Sequence, residues 1–396
     1  MTPADAPVSV DAPKVLPNPL HDLHAVAQLI EFQPYDQLEI VSTFGEPQAE
    51  YAAIRKSCGL MDCPQRGILE LTGRDRLAFL NNLLTNQMWD KQTKSGMQSG
   101  QGVYAFFLNV KGRIAADMNV LELSDRTLLE MDARFVSTIR QAFEKYLFAE
   151  QVTMRELVGV SHEIALHGPG ARQVLETALG APMPELGQLG STKMQFFGAD
   201  AVVWRDDPTG SPGYHLILPI ESAPTVWNEL VTRFGVSESL GKRPLRPIGW
   251  AAYNATRIEA GRALFGIDFD DSILPAETGV LFPRAVSLTK GCYLGQEIVA
   301  RMHARQQVAK QIVGWKLDSD DLPMAGAKLF DEKGNEIGGV TSSTLSPILS
   351  DTAIGLGYVK RPFVAPGTKV HVPAEGSLRE ATVTSIPFLV PSPGTL

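Results

Sequence analysis

One order of elements occurs twice in this 396-residue chain and constrains its fold most: a strand, a helix, several strands and a second helix. In the first occurrence, residues 67–72 alternate apolar and polar side chains, as a half-buried strand does. Leucines then recur at helical spacing from Leu77, and two apolar runs flank a glycine-containing loop at 109–113, which predicts a β-hairpin. A helix over 135–147, with one apolar face, completes the first unit.

The second occurrence runs from a strand at 163–166 through a helix at 171–179 and strands between 196 and 218 to a helix near 226–234. From residue 311 the pattern changes to short apolar runs separated by Gly, Pro, Asp and Asn, with no helix between them. Such a series predicts a small barrel or sandwich. The fold class is therefore predicted as α+β, with two sheet-plus-helix modules and a small C-terminal β-barrel.

The predicted domains follow from these patterns. They are a flexible N-terminal arm (1–20), a first α+β module (21–160), a second α+β module (161–305) and the C-terminal β-barrel (306–396). In this prediction, a segment within the span of one module can belong to the fold of the other. A chain this long is expected to divide into two or three domains.

Composition excludes several classes of protein. The hydrophobic content of 44%, the charged content of 20% and the net charge of -8 are typical of a soluble globular protein without an overall basic surface for nucleic acid. No apolar run approaches the ~18 residues that span a bilayer. The first twenty residues lack the basic start and apolar centre of a signal peptide, so we expect a cytoplasmic protein and no membrane partner.

Two groups of residues could be metal ligands, but the sequence pattern of each argues against a metal site. Cys58 and Cys63 have no histidine or further cysteine pair nearby, which favours packing over zinc binding. The acidic residues between Asp268 and Glu277 lack the ligand spacing of a calcium loop, which favours a solvated loop. No metal site is predicted.

The octet Lys290-Gly291-Cys292-Tyr293-Leu294-Gly295-Gln296-Glu297 concentrates reactive groups in a short stretch. A nearby cation favours the thiolate form of cysteine, so Lys290 and Cys292 are the candidate catalytic residues. The alternative is that Cys292 is an inert, buried side chain.

This octet, together with 257–261, 266–268 and 275–279, resembles the folate-binding YgfZ proteins. These are relatives of the glycine-cleavage T-protein (aminomethyltransferase) and of the mitochondrial iron–sulfur assembly factor of that lineage. Residues 59–62, 73–80 and 104–120 also look like the first half of a T-protein, and the last ninety residues look like its C-terminal barrel. The resemblance implies three domains around a central channel that holds tetrahydrofolate or a derivative.

The resemblance implies a function as well. A tetrahydrofolate-binding YgfZ-type protein would support iron–sulfur cluster assembly or repair, with indirect effects on tRNA modification. Its partners would be iron–sulfur enzymes or assembly proteins. Cys292 would act as a nucleophile, a redox thiol or a transient cluster ligand, and a cluster would need further ligands from a partner.

The alternative function is a folate-dependent aminomethyltransferase or demethylase, and whether the chain is an enzyme stays open. Asp117 is retained where aminomethyltransferases carry two adjacent aspartates. The stretch 209–213 lacks the two acids of their pterin-holding loop, and T-proteins lack a counterpart of Cys292. These departures favour the iron–sulfur function over amine transfer.

The candidate folate-binding residues come from the same stretches. They are Asp117, Arg257, Glu259, Tyr293, Gly295, Gln296 and Glu297. Tyr104 and Trp250 could stack on a pterin, but packing in the core is the favoured role for both. Gln296 and Glu297 have the alternative role of capping the helix that follows, and Asp117 that of facing solvent. Arg301, His303 and Arg305 could meet the glutamyl tail of folate or RNA phosphate, or form a solvated basic face.

Overall fold

The computed structural model describes residues 18–26, 29–235, 243–305 and 308–389. Most of the predicted N-terminal arm (1–20) lies outside this part of the chain. Its last residues are held in place, because Leu20 is buried and the Asn18 amide donates to Asp62 over 3.0 Å. No helix of the described residues is both long and apolar enough to cross a membrane.

The α-helices lie on the outside of two sheets and at the junction with a barrel. They are α1 (His21–Ala25), α2 (Pro47–Lys56), α3 (Arg76–Leu83), α4 (Val136–Glu144), α5 (Ala171–Leu179), α6 (Ala223–Phe234), α7 (Trp250–Glu259), α8 (Phe282–Ala285) and α9 (Gln296–Arg305). A 3-10 turn covers Pro275–Leu281.

The strands form two central sheets, one barrel and two small hairpins. The strands before residue 160 are β1 (Glu31–Tyr35), β2 (Leu38–Thr43), β3 (Gly59–Asp62), β4 (Arg66–Thr72), β5 (Trp89–Asp90), β6 (Ser95–Gly96), β7 (Gly102–Leu108), β8 (Ile114–Glu122), β9 (Thr127–Asp132) and β10 (Thr153–Glu156). The later strands are β11 (Ser161–His167), β12 (Ser191–Phe196), β13 (Ala199–Arg205), β14 (Gly213–Pro219), β15 (Arg246–Ile248), β16 (Lys310–Leu317), β17 (Lys328–Phe330), β18 (Glu336–Ser346), β19 (Thr352–Lys360), β20 (Lys369–Ala374) and β21 (Ser377–Thr384).

The first central sheet has the order β10-β4-β9-β8-β7 and is antiparallel. Successive side chains of a strand point to opposite faces. On β8, Ala116 and Met118 therefore pack in the same core as α3 and α4, whereas Asp117 and Asn119 face away from these helices. One strand thus supplies both a hydrophobic core and a polar wall.

The second central sheet has the order β12-β13-β14-β11-β3-β15. Its strand β3 comes from the span of the first predicted module and pairs parallel with β15, so segments from both halves complete this sheet. Apolar side chains on one face pack with α5 and α6. Glu163 of β11 and His215 of β14 lie on the opposite face.

The inward faces of the two sheets meet in a shared core. Ile68 and Leu128 from the first sheet cluster there with Trp204 and Ile217 from the second. The helices therefore cover the outer faces, and polar residues of both sheets face one another between them.

The C-terminal strands close into a six-stranded barrel with the order β16-β19-β18-β17-β20-β21. The predicted α+β class, the three-domain arrangement and the C-terminal barrel are confirmed. The hairpin β1–β2 was not predicted, because its pattern is interrupted by Pro34 and by the tight turn at Asp36, whose φ is 56°.

The acidic stretch after α7 is not a uniformly solvated loop, which corrects the sequence interpretation. Asp268 is 1% exposed and pairs with Arg257 over 2.7 Å. Glu277 is 5% exposed and accepts from the Leu274 N–H over 3.0 Å. Two of the acids thus hold the fold together, whereas Asp270 is exposed.

Candidate functional site: a polar cavity between the two sheets

A cavity of about 80 Å³ lies between the inward faces of the two central sheets. Its wall combines polar side chains from the strands and loops of both sheets: Arg66, Asp117, Asn119, Glu130, Glu163, His167, Asp206 and His215. Tyr104, Trp204, Trp250 and Tyr253 add aromatic surface. The alternation of side chains along β8, β9, β11 and β14 places these groups inside rather than in solvent.

Asp117 is a candidate folate-binding residue from the sequence, and the structure places its carboxyl in the wall of this cavity. It is half-buried, and its Oδ2 accepts a 2.8 Å hydrogen bond from the Tyr104 hydroxyl. Burial raises the pKa of Asp117 above its usual value, although the charge of Arg66 opposes the shift. Burial and the neighbouring Asp117 also raise the pKa of Tyr104, which therefore stays a donor.

Beside Asp117, a buried ion pair crosses the first sheet. The Arg66 guanidinium pairs with Glu130, which is 1% exposed. The second oxygen of Glu130 accepts from the Asn119 amide over 2.7 Å. Glu130 thus has its charge compensated within the sheet, whereas Asp117 is hydrogen-bonded by a neutral tyrosine.

Several buried polar atoms around the cavity have no hydrogen-bond partner in the described part of the chain. They belong to Gln65 (Oε1), Asn119 (Oδ1), Glu163 (Oε2), His167 (Nδ1 and Nε2), Trp204 (Nε1) and His215 (Nε2). Buried polar groups in folded proteins are nearly always paired. This concentration of unpaired donors and acceptors is what a polar ligand or ordered waters would satisfy.

A larger pocket of about 550 Å³ adjoins the inner cavity and shares Tyr104 and Asp206 with it. At this junction Asp206, which is 4% exposed, pairs with both Arg262 and Arg284, the latter over 3.0 Å. The neighbouring Asp207, which also lines the larger pocket, pairs with Arg205 over 3.0 Å. A wider pocket, with charges of both signs in its wall, thus lies beside a small, polar interior.

The octet lies elsewhere on the molecule. Cys292 is exposed, and among the described residues none of the octet lines the inner cavity or the adjoining pocket. Gly295 has a φ of 80°, and a Cβ there would stand 3.2 Å from Gly112 of the first module. It allows the octet to pack on the β7–β8 hairpin, so its close approach is to the protein itself.

The remaining octet residues have local roles. Tyr293 is 8% exposed and packs in the shared core, with the Lys290 ammonium 4.9 Å from its ring centre. Gln296 and Glu297 lie in the first turn of α9, where an acid complements the helix dipole. This position fits the capping alternative for both.

Lys290 has a position that differs from its predicted role beside the thiol. It is 5% exposed, and its Nζ donates to the backbone carbonyls of Asn81, Leu84 and Asn86. Burial and the charge of Lys91 lower its pKa to about 7, whereas the three carbonyls favour the charged form. All three ammonium protons are therefore used to fasten the octet to the end of α3.

Arg257 and Glu259 fasten α7 instead of lining the cavity. The Arg257 guanidinium reaches Asp268 and the Ser342 hydroxyl, at 2.7 and 2.8 Å. Glu259 is fully buried and accepts from Tyr51 over 2.8 Å and from Ser346 of the barrel. The two side chains leave α7 in different directions, and each one reaches the barrel.

Of the other residues considered in the sequence, some line the cavity and some lie on the protein surface. Trp250 and Tyr104 line the cavity, as a stacking role requires. Arg301 and His303 are exposed on α9, with the His303 ring stacked on Phe282 at 5.7 Å, and α9 ends at Arg305. Cys58 and Cys63 are both buried, and Cys63 also lines the cavity. In the described part of the chain, no group of three His, Cys, Asp or Glu side chains could hold a metal ion.

Sequence reasoning missed Glu130, Glu163, His167 and His215. A signal was present: each is a polar residue inside an apolar strand run, and such residues face either solvent or a polar interior. Choosing between the two required the pairing of β11 with β14 and the knowledge that the two sheets face each other.

Comparisons with known proteins cover nearly the whole chain. Residues 21–290 match the GCVT N-terminal domain, and residues 310–389 match the glycine cleavage T-protein C-terminal barrel domain. An aminomethyltransferase of Chloroherpeton thalassium is 27% identical over 377 residues, covering 94% of this chain and 98% of that protein. One of Halothermothrix orenii is 28% identical over 377 residues, covering 94% and 99%.

A solved structure shows the same arrangement. The glycine cleavage system aminomethyltransferase T of Bartonella henselae superposes with a TM-score of 0.82 at 26% identity, covering 94% of this chain and 97% of its own. The N-terminal domain match alone spans more than half of the sequence. The chain therefore belongs to the glycine cleavage T-protein family.

Proposed function

We propose that the cavity between the two sheets binds tetrahydrofolate or a derivative, and that the chain is a folate-dependent aminomethyl or methyl transferase. The observation that supports this proposal best is the set of unpaired, buried donors and acceptors around Asp117. In addition, relatives that match over nearly their full length are named aminomethyltransferases. A reduced pterin carries several N–H donors and ring acceptors, which is the chemistry that such a wall can satisfy.

The shape and charge of the site fit an elongated folate. The wider outer pocket offers about 550 Å³ beside the narrow interior. Arg262 and Arg284 share Asp206 at the junction, and we assign these two guanidinium groups to the anionic glutamyl tail. Tyr104 and Trp250 supply aromatic surface for a flat ring.

Asp117 is the residue to which we assign proton acceptance. Its raised pKa makes the carboxylate a better base near neutral pH than an exposed aspartate. Tyr104 holds one oxygen by its hydroxyl proton, which leaves the second oxygen for the ligand. Bound folate would supply the amine nitrogen that takes up the one-carbon unit.

The test is one-carbon transfer in vitro. The protein is incubated with tetrahydrofolate and either an aminomethyl-lipoyl or an N-methyl donor, and methylene- or methyl-tetrahydrofolate is measured by mass spectrometry. Asp117→Asn is expected to lower the rate by roughly 100-fold or more. Glu332→Gln, at an exposed residue of the barrel, is the matched control. Absence of any folate product with both donor classes contradicts the proposal.

A second candidate function has its own observation, the exposed thiol of Cys292. A YgfZ-type protein would use it with folate to support assembly or repair of clusters in iron–sulfur enzymes, and so affect tRNA modification indirectly. One thiol supplies one ligand of four, so the partner would complete the cluster site. Exposed Arg301 and His303 would be the contacts to an acidic partner or to RNA phosphate.

Cells that depend on this chain test the second candidate. If it holds, Cys292→Ala lowers the activity of iron–sulfur enzymes although the variant still binds tetrahydrofolate. Cys58→Ala is unsuitable as a control because Cys58 is buried, so Ser95→Ala, at an exposed residue, is used instead. Unchanged iron–sulfur enzyme activity in Cys292→Ala cells would leave the transferase function as the remaining candidate.

A further inference from the structure

His215 forms a hydrogen-bonded pair with Glu163 in the wall of the inner cavity. Its Nδ1 lies 2.9 Å from Glu163 Oε1, and the two side chains are 11% and 3% exposed. An ionised carboxylate only accepts hydrogen bonds, so Nδ1 carries the proton and the lone pair of the neutral ring is at Nε2. That Nε2 is buried and has no hydrogen-bond partner among the residues that the structure describes.

The ring is fixed in place by its neighbours. Trp204 stacks on it with ring centres 4.2 Å apart and an interplanar angle of 23°, and His167 packs against it at 5.4 Å with its ring nearly perpendicular. Both partners come from strands adjacent to β14, so three paired strands set the orientation of one imidazole. A side chain held this firmly is prepared for directional contact with a ligand.

His167 is a second polar group without a partner. It is fully buried, and neither ring nitrogen makes a hydrogen bond. Burial, together with the nearby His215, lowers its pKa to about 3. It therefore stays neutral and presents one N–H and one lone pair beside the His215 ring.

We infer that His215, backed by Glu163, is a proton-transfer residue that faces the ligand in the inner cavity, a role that rests on the proposed folate-binding function. Methylene transfer to tetrahydrofolate removes two N–H protons, and Asp117 takes one of them. The second N–H bond breaks and its proton joins Nε2 of His215. The electron pair of that bond forms the new N–C bond while the C–N bond between the one-carbon unit and the donor's amine breaks. Glu163 stabilises the resulting imidazolium. The proton returns from Nε2 to the departing amine, so the ring ends neutral.

The groups facing the pair come from every element packed against it. On its own sheet these are His167, Cys63 after β3 and Asp206 after β13. The facing sheet, α7 and the chain after α7 add Arg66, Tyr104, Asp117, Glu130, Tyr253 and Arg262, and β1 adds Tyr35. Arg66–Glu130 and Arg262–Asp206 are ion pairs, and burial raises the pKa of Glu163 itself. Arg284 also pairs with Asp206, so a proton on His215 enters a region that holds the carboxyls of Glu163 and Asp117 beside these ion pairs.

The pH dependence of tetrahydrofolate binding and turnover tests this inference. His215→Gln keeps a donor for Glu163 but removes the titrating base. It is expected to lower turnover by roughly 100-fold and to remove one limb of the wild-type pH profile. Glu163→Gln is expected to move that limb to lower pH. His371→Gln, on the barrel, should keep the wild-type profile.

Two further measurements separate chemistry from folding. The ¹⁵N spectrum of the unliganded protein should show His215 protonated at Nδ1 and bare at Nε2, and circular dichroism should show both variants folded. A His215→Gln variant with the wild-type pH profile, or a neutral ring protonated at Nε2, overturns the inference alone. A wild-type protein that binds no reduced folate overturns the proposed function together with it.

Discussion

At the scale of single residues, Lys290 shows how a reactive-looking group can hold the structure. A lysine near an exposed cysteine suggests activation of the thiol, but its three protons are donated to the carbonyls of Asn81, Leu84 and Asn86. A buried carbonyl without a donor costs on the order of 1–3 kcal/mol. The side chain therefore stabilises the junction between the octet and α3.

Lys290→Met should lower the free energy of unfolding by about 2–4 kcal/mol, because it leaves several buried carbonyls without a donor. Urea denaturation measures this change. Lys333→Met, at an exposed residue, is the control and should be near neutral. If Lys290→Met keeps wild-type stability but slows alkylation of Cys292, the activating role predicted from the sequence is the correct one.

The residues of the site were predictable only in part. Asp117 was a candidate from the sequence and lines the cavity, and so do Tyr104 and Trp250, for which the sequence favoured packing in the core. Glu163 and His215 were missed because they meet only after β11 and β14 pair, although they are 52 positions apart. Arg257 and Glu259 were identified as special, and the structure places them in buried networks of α7.

At the scale of elements, α7 joins the sheets to the C-terminal barrel through these two charged residues. Arg257 pairs with Asp268 and reaches Ser342 of β18, and all three are at least nine-tenths buried. Glu259 reaches Ser346 of the same strand. Removing one partner of a buried pair leaves an uncompensated charge, which is far costlier than removing both.

Asp268→Asn should therefore destabilise the protein by about 3–5 kcal/mol. The matched control is Asp270→Asn, two residues later and exposed, which should change stability little. Thermal unfolding of the two variants measures the difference. Equal melting temperatures would show that the α7–barrel junction does not depend on this pair.

Element types were predicted better than sheet membership. The hairpin β7–β8 and the helices α4 and α5 follow from local periodicity, which the sequence carries directly. That β3 completes the second sheet, in parallel with β15, depends on a pairing across 187 positions between Gly59 and Arg246 that no local pattern records.

At the scale of the whole molecule, the buried polar interior makes stability depend on pH. His167 is buried and neutral, with a pKa near 3 in the folded protein and about 6.5 in the unfolded chain. Below pH 6.5 the unfolded chain binds a proton that the folded protein does not. The contribution of His167 is thus present above pH 6.5 and is lost as the pH falls towards 3.

The substitution His167→Asn removes the contribution of His167 to the pH dependence of stability. Between pH 6.5 and 4.5, the wild-type free energy of unfolding should fall more steeply than that of the variant, by about 1.4 kcal/mol per pH unit at most. The raised pKa values of Asp117 and Glu163 act in the opposite sense in both proteins, so the difference isolates His167. Parallel curves would mean that His167 is protonated in the folded state.

The central claim is that the space between the two sheets holds a reduced folate, and a tetrahydrofolate titration followed by tryptophan fluorescence tests it most directly. Trp204 and Trp250 both line the cavity, so binding should change the emission with saturation at one ligand per chain. Trp204→Phe should lose much of that signal, Asp117→Asn should bind roughly tenfold or more weakly, and Cys292→Ala, at the exposed thiol, should bind like wild type. No saturable change in the wild-type protein, or binding that Cys292→Ala abolishes and Asp117→Asn leaves intact, would contradict the account.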